Sequence, residues 1–158
     1  MVPASTLIDT ATSYLKAIST VDHEALAAII TESFNVTLAP ESTGLGTATR
    51  SDLIGRFKGL QGVVTAFGVN IKQTWPNEAT NQVIVWTFGD ATFKSHIIGD
   101  DDPEEWVWKS ENIFIFTMDS TGEKVEHLLE FCDSKGIEVM GKLFTKAFER
   151  LGAAAGST

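Results

Sequence analysis

Chemistry-bearing side chains stand among aromatic ones near the end of the chain. Residues 106–116 alternate in the manner of a strand, and their even-numbered positions are aromatic except for Ser110 and Asn112. The next predicted strand carries Glu130 in its own even-numbered set. If both sets share one face, the Glu130 carboxyl is desolvated, which raises its pKa and suits it to general acid or base catalysis near neutral pH. We predict that Glu130 is the catalytic acid or base and that Asn112 polarises a carbonyl or enolate of the substrate.

This face has the composition of a ligand pocket, which combines mostly apolar walls with a few convergent polar groups. We assign four side chains to the substrate-binding walls: Trp108, Trp86, Phe114 and Ser110. The alternative is that the aromatic residues are plain core. Arg50 and Arg56 flank the third predicted helix, from which either could reach an anionic or carbonyl group at the pocket mouth. We assign Arg50 to substrate binding, against the alternative of an exposed charge.

A one-residue bulge in the last hairpin would turn the opposite face inward. His127 and Asp133 then become the runner-up catalytic residues. The structural alternatives are a hydrogen-bonded or exposed histidine, and an aspartate that caps the final helix by accepting backbone N–H bonds. For Glu130 the alternative is an ion-paired or capping carboxylate, and for Asn112 a side chain bonded to neighbouring backbone.

The order of elements predicts an α+β fold, because helices come first and long strands joined by short turns follow. Helices are predicted to begin near Ser5 or Thr6, at Asp22, near Thr49 or Ser51 and near Asp133 or Ser134. Strands are predicted over 34–38, 67–75, 82–93, 106–118 and 125–133. We expect a cone-shaped, curved antiparallel sheet wrapped around the N-terminal helices, with a C-terminal helix.

Composition bounds the domain count and excludes several classes of protein. The 158 residues predict a single domain, 1–158, with a core over about 5–150 and a flexible tail over 152–158. The net charge of −9 and the lack of a Lys/Arg cluster argue against a nucleic-acid partner. One cysteine allows neither an internal disulfide nor a cysteine zinc site, and His96 with the acidic residues 100–102 matches no metal loop, so no metal is expected. The sequence shows neither a membrane span nor a signal peptide, which predicts a cytoplasmic protein.

Four short motifs carry a resemblance to a known family: residues 110–119, 122–125, 130–134 and 20–26. They are similar to the penultimate strand, the hairpin return, the end of the last strand and the opening helix of the SnoaL-like branch of the nuclear-transport-factor-2-like superfamily. The resemblance is to fungal isomerases, cyclases and dehydratases of secondary metabolism, and it implies catalysis without a cofactor. One departure is that a tyrosine is common in the family where Asn112 stands here.

Two functions from different classes remain open on the sequence. The first is a cofactor-free enzyme that isomerises, cyclises or dehydrates a small hydrophobic, oxygenated metabolite by proton transfer. The second is a non-catalytic ligand-binding or dimerisation module of the same fold. In either case the outer sheet face is apolar and needs a cover, which predicts a homodimer. Its residues are Ile113, Ile115, Leu129 and Phe131. A cavity filled by side chains would favour the module.

Overall fold

The computed structural model describes residues 1–156, and within them the chain forms five α-helices and six strands. The helices are α1 (Ala4–Ser19), α2 (His23–Ile29), α3 (Arg50–Leu60), α4 (Ser95–Ile98) and α5 (Ser134–Gly156). The strands are β1 (Ile30–Ala39), β2 (Gly46–Thr49), β3 (Val64–Asn77), β4 (Gln82–Phe93), β5 (Lys109–Met118) and β6 (Val125–Phe131). The predicted α+β class is confirmed.

The six strands form one open sheet in the order β2-β1-β6-β5-β4-β3. Neighbouring strands are antiparallel except β1 and β6, which pair in parallel. The expectation of a wholly antiparallel sheet is therefore corrected to a mixed one. A parallel pair needs a long connection between its strands, and the whole of the chain from β2 to β5 separates β1 from β6.

Local capping determines where two of the helices begin. The Asp22 carboxylate accepts hydrogen bonds from the backbone N–H groups of Glu24 (3.1 Å) and Ala25 (2.9 Å), as the predicted cap of α2 should. Thr49 and Asp52 form a reciprocal capping box that starts α3. These contacts satisfy backbone N–H groups in the first turn of each helix, which would otherwise lack a partner.

The concave side of the sheet packs on α1, which lies in the core of the cone. Tyr14 of α1 is 1% exposed, and its ring meets the Phe116 ring edge-on at a centroid distance of 5.2 Å. Phe116 in turn stacks on Phe114, its neighbour on the same face of β5 (5.8 Å). Aromatic pairs in these geometries add to the hydrophobic free energy of burial. They fix α1 against the strand that carries the candidate site residues.

Some boundaries differ from the predictions for local reasons. Strand β5 begins at Lys109 rather than Trp106, because residues 103–106 form a 3₁₀ turn and the Trp106 indole N–H bonds to Asp101. The short strand β2 has no counterpart among the predicted strands. Helix α5 continues through Gly156, so residues 152–156 of the predicted tail are helical, while Ser157 and Thr158 lie outside the described residues. None of the helices in residues 1–156 is long and apolar enough to cross a membrane.

Candidate functional site

The register of the last hairpin determines which face of β6 lies inside the cone. Phe114 pairs with Glu130 and Phe116 with Leu128, and the side chains of both phenylalanines and of Leu128 are buried. The irregularity in this pair of strands comes at Thr117 and Met118, beyond the site. Glu130 therefore shares the aromatic inner face, as predicted, and the bulged alternative is not adopted.

Three polar side chains on this face form a hydrogen-bonded chain. The Ser110 hydroxyl donates to Asn112 Oδ1 over 2.6 Å, and Asn112 Nδ2 donates to Glu130 Oε1 over 2.7 Å. Asn112 was predicted to bind substrate directly, with bonding to neighbouring backbone as the alternative. Its amide is bonded to side chains on both sides, so it orients the Glu130 carboxyl. Asn112 also lines the cavity, and its direct contact with a substrate stays a prediction. A carboxyl held through one oxygen keeps lone pairs on the other for a ligand.

These side chains line a cavity of about 230 Å³ between the sheet, α3 and α5. Trp108, Phe114 and Ser110 line it as predicted. Its remaining apolar walls come from Ile18, Val36, Leu38, Leu45, Leu53, Phe57, Leu60, Phe67, Val69, Ile137 and Met140. The interior of the cone is thus not filled by side chains. Ser110, Asn112 and Glu130 form one polar cluster on its wall, and its other polar lining residues include Thr87, Asp90 and Arg56.

Burial changes the acidity of Glu130. The low-polarity surroundings raise the pKa of its carboxyl above the usual range, and the hydrogen bond from Asn112 offsets part of that rise. A carboxyl with a raised pKa is a stronger base once ionised, and part of it stays protonated nearer to neutral pH. Both properties suit a group that takes and returns a proton.

Tyr14 of α1 is a further site residue, and it is not among the site residues predicted from the sequence. It lines the cavity, and the residue is only 1% exposed to solvent. Burial raises the pKa of the phenol well above its usual value, and the nearby Glu130 charge raises it further. The hydroxyl is therefore protonated and able to donate a hydrogen bond to a ligand. The sequence contained a signal for Tyr14, because it is the only tyrosine in a chain with ten phenylalanines.

Two predicted substrate-binding residues lie outside the cavity. Trp86 points to the outer face, where its indole N–H donates to Glu111 (2.8 Å) and its ring lies under the Lys72 ammonium (4.6 Å). Both parities of β4 are apolar, and packing buries Val83, Val85 and Thr87 instead. Arg50 bonds to the carbonyl of Ala27 in α2 (3.1 Å), away from the cavity, whereas Arg56 lines it.

The two runner-up residues also lie elsewhere. His127 Nδ1 is 2.6 Å from Asn35 Oδ1 of the neighbouring strand β1, and His127 does not line the cavity. Asp133 accepts a hydrogen bond from the Lys135 N–H (3.1 Å) at the start of α5, as a helix cap does. Within residues 1–156 no three His, Cys, Asp or Glu side chains cluster as a metal site, and Asp101 of the acidic loop binds Lys146 and Arg150.

Comparison with solved structures finds proteins with the same architecture. BvnE pinacolase from Penicillium brevicompactum is 21% identical, with 96% of this chain and 97% of that chain covered and a TM-score of 0.73. PrhC from Penicillium brasilianum NBRC 6234 is 19% identical, with 95% and 96% covered and a TM-score of 0.75. A protein described as a SnoaL-like polyketide cyclase, from Shewanella denitrificans OS-217, is 12% identical, with 88% and 96% covered and a TM-score of 0.64. This chain has the SnoaL-like, nuclear-transport-factor-2-like fold.

The SnoaL-like fold expected from the motifs is thus confirmed. No protein-family model and no curated protein matches the sequence. At identities of 12–21% the likeness to these structures is one of fold. The roles of Glu130, Asn112 and Tyr14 must therefore be argued from the geometry of this chain, because one fold hosts many unrelated activities.

Proposed function

We propose that this chain is a cofactor-free enzyme that isomerises, cyclises or dehydrates a hydrophobic, oxygenated secondary metabolite by general acid–base catalysis. The observation that carries the proposal is the placement of two groups in one apolar cavity. Glu130 supplies a carboxyl with a raised pKa, and Tyr14 supplies a buried hydroxyl that stays protonated. A base and a hydrogen-bond donor side by side are the parts that proton transfer next to a carbonyl requires.

The two groups divide the chemistry between them. Ionised Glu130 removes a proton from the carbon beside a substrate carbonyl. The electron pair of that C–H bond forms a carbon–carbon double bond, and the π pair of the carbonyl moves to its oxygen. The Tyr14 hydroxyl donates a hydrogen bond to that oxygen and stabilises its developing negative charge. Protonated Glu130 then returns the proton to another carbon of a conjugated enolate, which restores the carbonyl. In a dehydration it protonates a hydroxyl on the second carbon from the carbonyl, and the C–O bond breaks as the enolate collapses, so that water departs. Asn112 orients the carboxyl throughout through its 2.7 Å hydrogen bond.

The substrate class follows from the walls and from the neighbours of this fold. Walls of Trp108, Phe114 and Phe67 favour an apolar skeleton, and the gathered polar groups favour an oxygen function at one end. Two structural neighbours are named as a pinacolase and as a polyketide cyclase. Those names, and the resemblance to fungal isomerases and cyclases, support a metabolite that undergoes rearrangement or ring formation.

The test uses 2-tetralone, an apolar ketone whose protons beside the carbonyl exchange with solvent through an enol. In D₂O the wild-type protein should accelerate loss of the C1 proton signal in NMR spectra. Replacing Glu130 with Gln should reduce that acceleration roughly 10²- to 10⁴-fold, because general base catalysis contributes about that much. Glu126→Gln is the matched control, since Glu126 is an exposed carboxyl on the same strand.

The same experiment separates the enzyme from a non-catalytic module. A module would bind 2-tetralone, seen as chemical-shift changes in the cavity residues, without accelerating exchange. Equal exchange by wild type and Glu130→Gln would remove Glu130 from the mechanism. Equal losses in Glu130→Gln and Glu126→Gln would point to a general charge effect instead of a base in the cavity.

A further inference from the structure

Arg56 occupies a position on α3 that the helix periodicity assigns to the cavity side. Leu53, Phe57 and Leu60 all line the cavity, and Arg56 lies beside them at the spacing of three to four residues that defines one helix face. Its neighbours Gly55 and Lys58 point elsewhere and are exposed. A side chain on this stripe would ordinarily be apolar, so a charge at position 56 requires an explanation.

The surroundings of Arg56 leave its guanidinium available to a ligand. It is the only basic residue among the described residues that line the cavity, and within residues 1–156 it makes no ion pair. The Asp52 carboxylate, which Arg56 influences, is already engaged in the capping box with Thr49. Those Thr49 hydrogen bonds, and to a smaller extent Arg56, lower the pKa of Asp52. Asp90, which lines the cavity as Glu130 does, accepts a hydrogen bond from the Gly68 N–H. Because Arg56 is exposed and also lines the cavity, it marks the mouth.

We propose that Arg56 binds an acidic group of the substrate, a carboxylate or a similar oxyanion, at the mouth of the cavity. This inference rests on the proposed function and makes its substrate class narrower: an apolar skeleton with an acidic group at one end and a reacting oxygen function at the other. The guanidinium presents paired N–H donors that match a carboxylate in geometry. The acidic group sits at the mouth while the reacting end reaches Tyr14 and Glu130.

Charge also determines the direction in which such a substrate enters. Glu130 at the polar end repels a second carboxylate placed beside it, so the reversed orientation is unfavourable. The chain as a whole carries a net charge of −9, which disfavours the approach of an anion to its surface in general. A local cation at the mouth therefore favours the binding of an anionic ligand, whereas a neutral or cationic ligand gains no affinity from it.

The test compares three small ligands that share one ring system by isothermal titration calorimetry. They are 2-naphthoate, which is anionic at neutral pH, 2-naphthamide, which is its neutral analogue of similar shape, and 2-naphthylmethylammonium, which is cationic. Wild type should bind 2-naphthoate most tightly. Arg56→Gln should weaken 2-naphthoate binding roughly fivefold to tenfold and change 2-naphthamide binding by less than about twofold. Lys58→Gln is the matched control, because it removes the same charge from the same helix away from the cavity.

Several outcomes would overturn the proposal. Equal weakening of 2-naphthoate and 2-naphthamide binding by Arg56→Gln would mean that the arginine only shapes the mouth. Equal effects of Arg56→Gln and Lys58→Gln on 2-naphthoate binding would mean that the ligand responds only to the overall charge of the protein. Tighter binding of the cationic ligand, or no binding of 2-naphthoate up to about 1 mM, would also refute it. Binding here involves no chemistry, so failure of the proposed catalysis is seen separately, as unchanged 2-tetralone exchange in Glu130→Gln while the Arg56 effect on 2-naphthoate persists.

Discussion

Asn112 Nδ2 donates a 2.7 Å hydrogen bond to Glu130 Oε1 across the central strand pair of the sheet. The amide is itself held by the Ser110 hydroxyl at 2.6 Å, so its orientation is fixed from the other side. The contact has two consequences for the carboxyl. It fixes the position of one oxygen, and it favours the ionised form against the burial that raises the pKa.

Removing that hydrogen bond should raise the pKa of Glu130 further. In Asn112→Ala the carboxylate loses its donor while its burial remains, so the ionised form becomes less favourable. The titration of the Glu130 side-chain carbon, followed by ¹³C NMR, should move to higher pH than in wild type. Ser110→Ala is the control, because Ser110 reaches Glu130 only through Asn112, and it should produce a smaller shift. A shift to lower pH in Asn112→Ala would contradict this account.

The raised pKa also predicts how stability depends on pH. Between the usual glutamate pKa of about 4.3 and the higher value in the folded state, the folded protein keeps a proton that the unfolded chain releases. The contribution of Glu130 to the free energy of unfolding therefore falls as pH rises through that window. Glu130→Gln should be more stable than wild type at neutral pH, and the difference should vanish below about pH 4. Urea unfolding across this range measures it, and a difference independent of pH would exclude the effect.

Tyr14→Phe should separate the chemistry of the hydroxyl from the packing of the ring. The ring contact with Phe116 is retained and only the hydroxyl is lost, so the free energy of unfolding should change by less than about 1 kcal/mol. The acceleration of 2-tetralone exchange should fall roughly 10²- to 10³-fold, the usual cost of losing one donor to a developing oxyanion. Full exchange activity in Tyr14→Phe would show that the phenol is only core.

Gly68 should not tolerate a side chain. A Cβ on this residue would overlap the Asp90 carboxylate, which accepts a hydrogen bond from the Gly68 N–H at 3.1 Å. Gly68→Ala should cost about 1–3 kcal/mol of unfolding free energy. Gly55→Ala is the control, since open space surrounds Gly55 in α3 and alanine there should stabilise the helix by up to about 1 kcal/mol.

A second variant tests the cause of the Gly68 effect. If Gly68→Ala is destabilised by the Asp90 carboxylate, adding Asp90→Ala should recover most of the loss, giving a coupling energy between neighbouring sites. If the losses of unfolding free energy in Gly68→Ala and Asp90→Ala simply add in the double variant, the strain in Gly68→Ala does not come from the Asp90 carboxylate.

The outer sheet face should form a homodimer interface. Ile113 and Phe131 pair across β5 and β6, and they are 39% and 51% exposed. Ile84 lies on the same face at 36% and pairs with Ile115. Exposed apolar patches of this kind need a partner surface, so sedimentation at about 10 µM should show a dimer.

The matched variants for the dimer differ only in location. Ile113→Glu with Phe131→Glu should give a monomer. Val139→Glu with Phe148→Glu places the same two charges on α5, where these residues are 39% and 42% exposed, and should leave the dimer intact. A monomeric wild type would refute the interface.

The alternation along the last two strands was sufficient to place Glu130, Asn112, Ser110, Trp108 and Phe114 on one face. A strand has a side-chain period of two, and only one parity of residues 106–116 gathers the aromatic residues, so burial could choose just one face. The caps at Asp22 and Thr49 were also readable, because a helix start is a local feature within three or four residues of sequence.

Where the local sequence pattern was compatible with two orientations of a side chain, tertiary packing determined which one forms. Both parities of β4 are apolar, so only the sheet register turned Trp86 outward. Arg50 and Arg56 look alike along α3, and the direction of the helix axis over the cavity separated them. Tyr14 and Glu130 line one cavity because α1 packs inside the sheet, although they are 116 positions apart in the chain. Periodicity constrains the face of an element, whereas the partner of that face depends on how distant elements bury their apolar surface together.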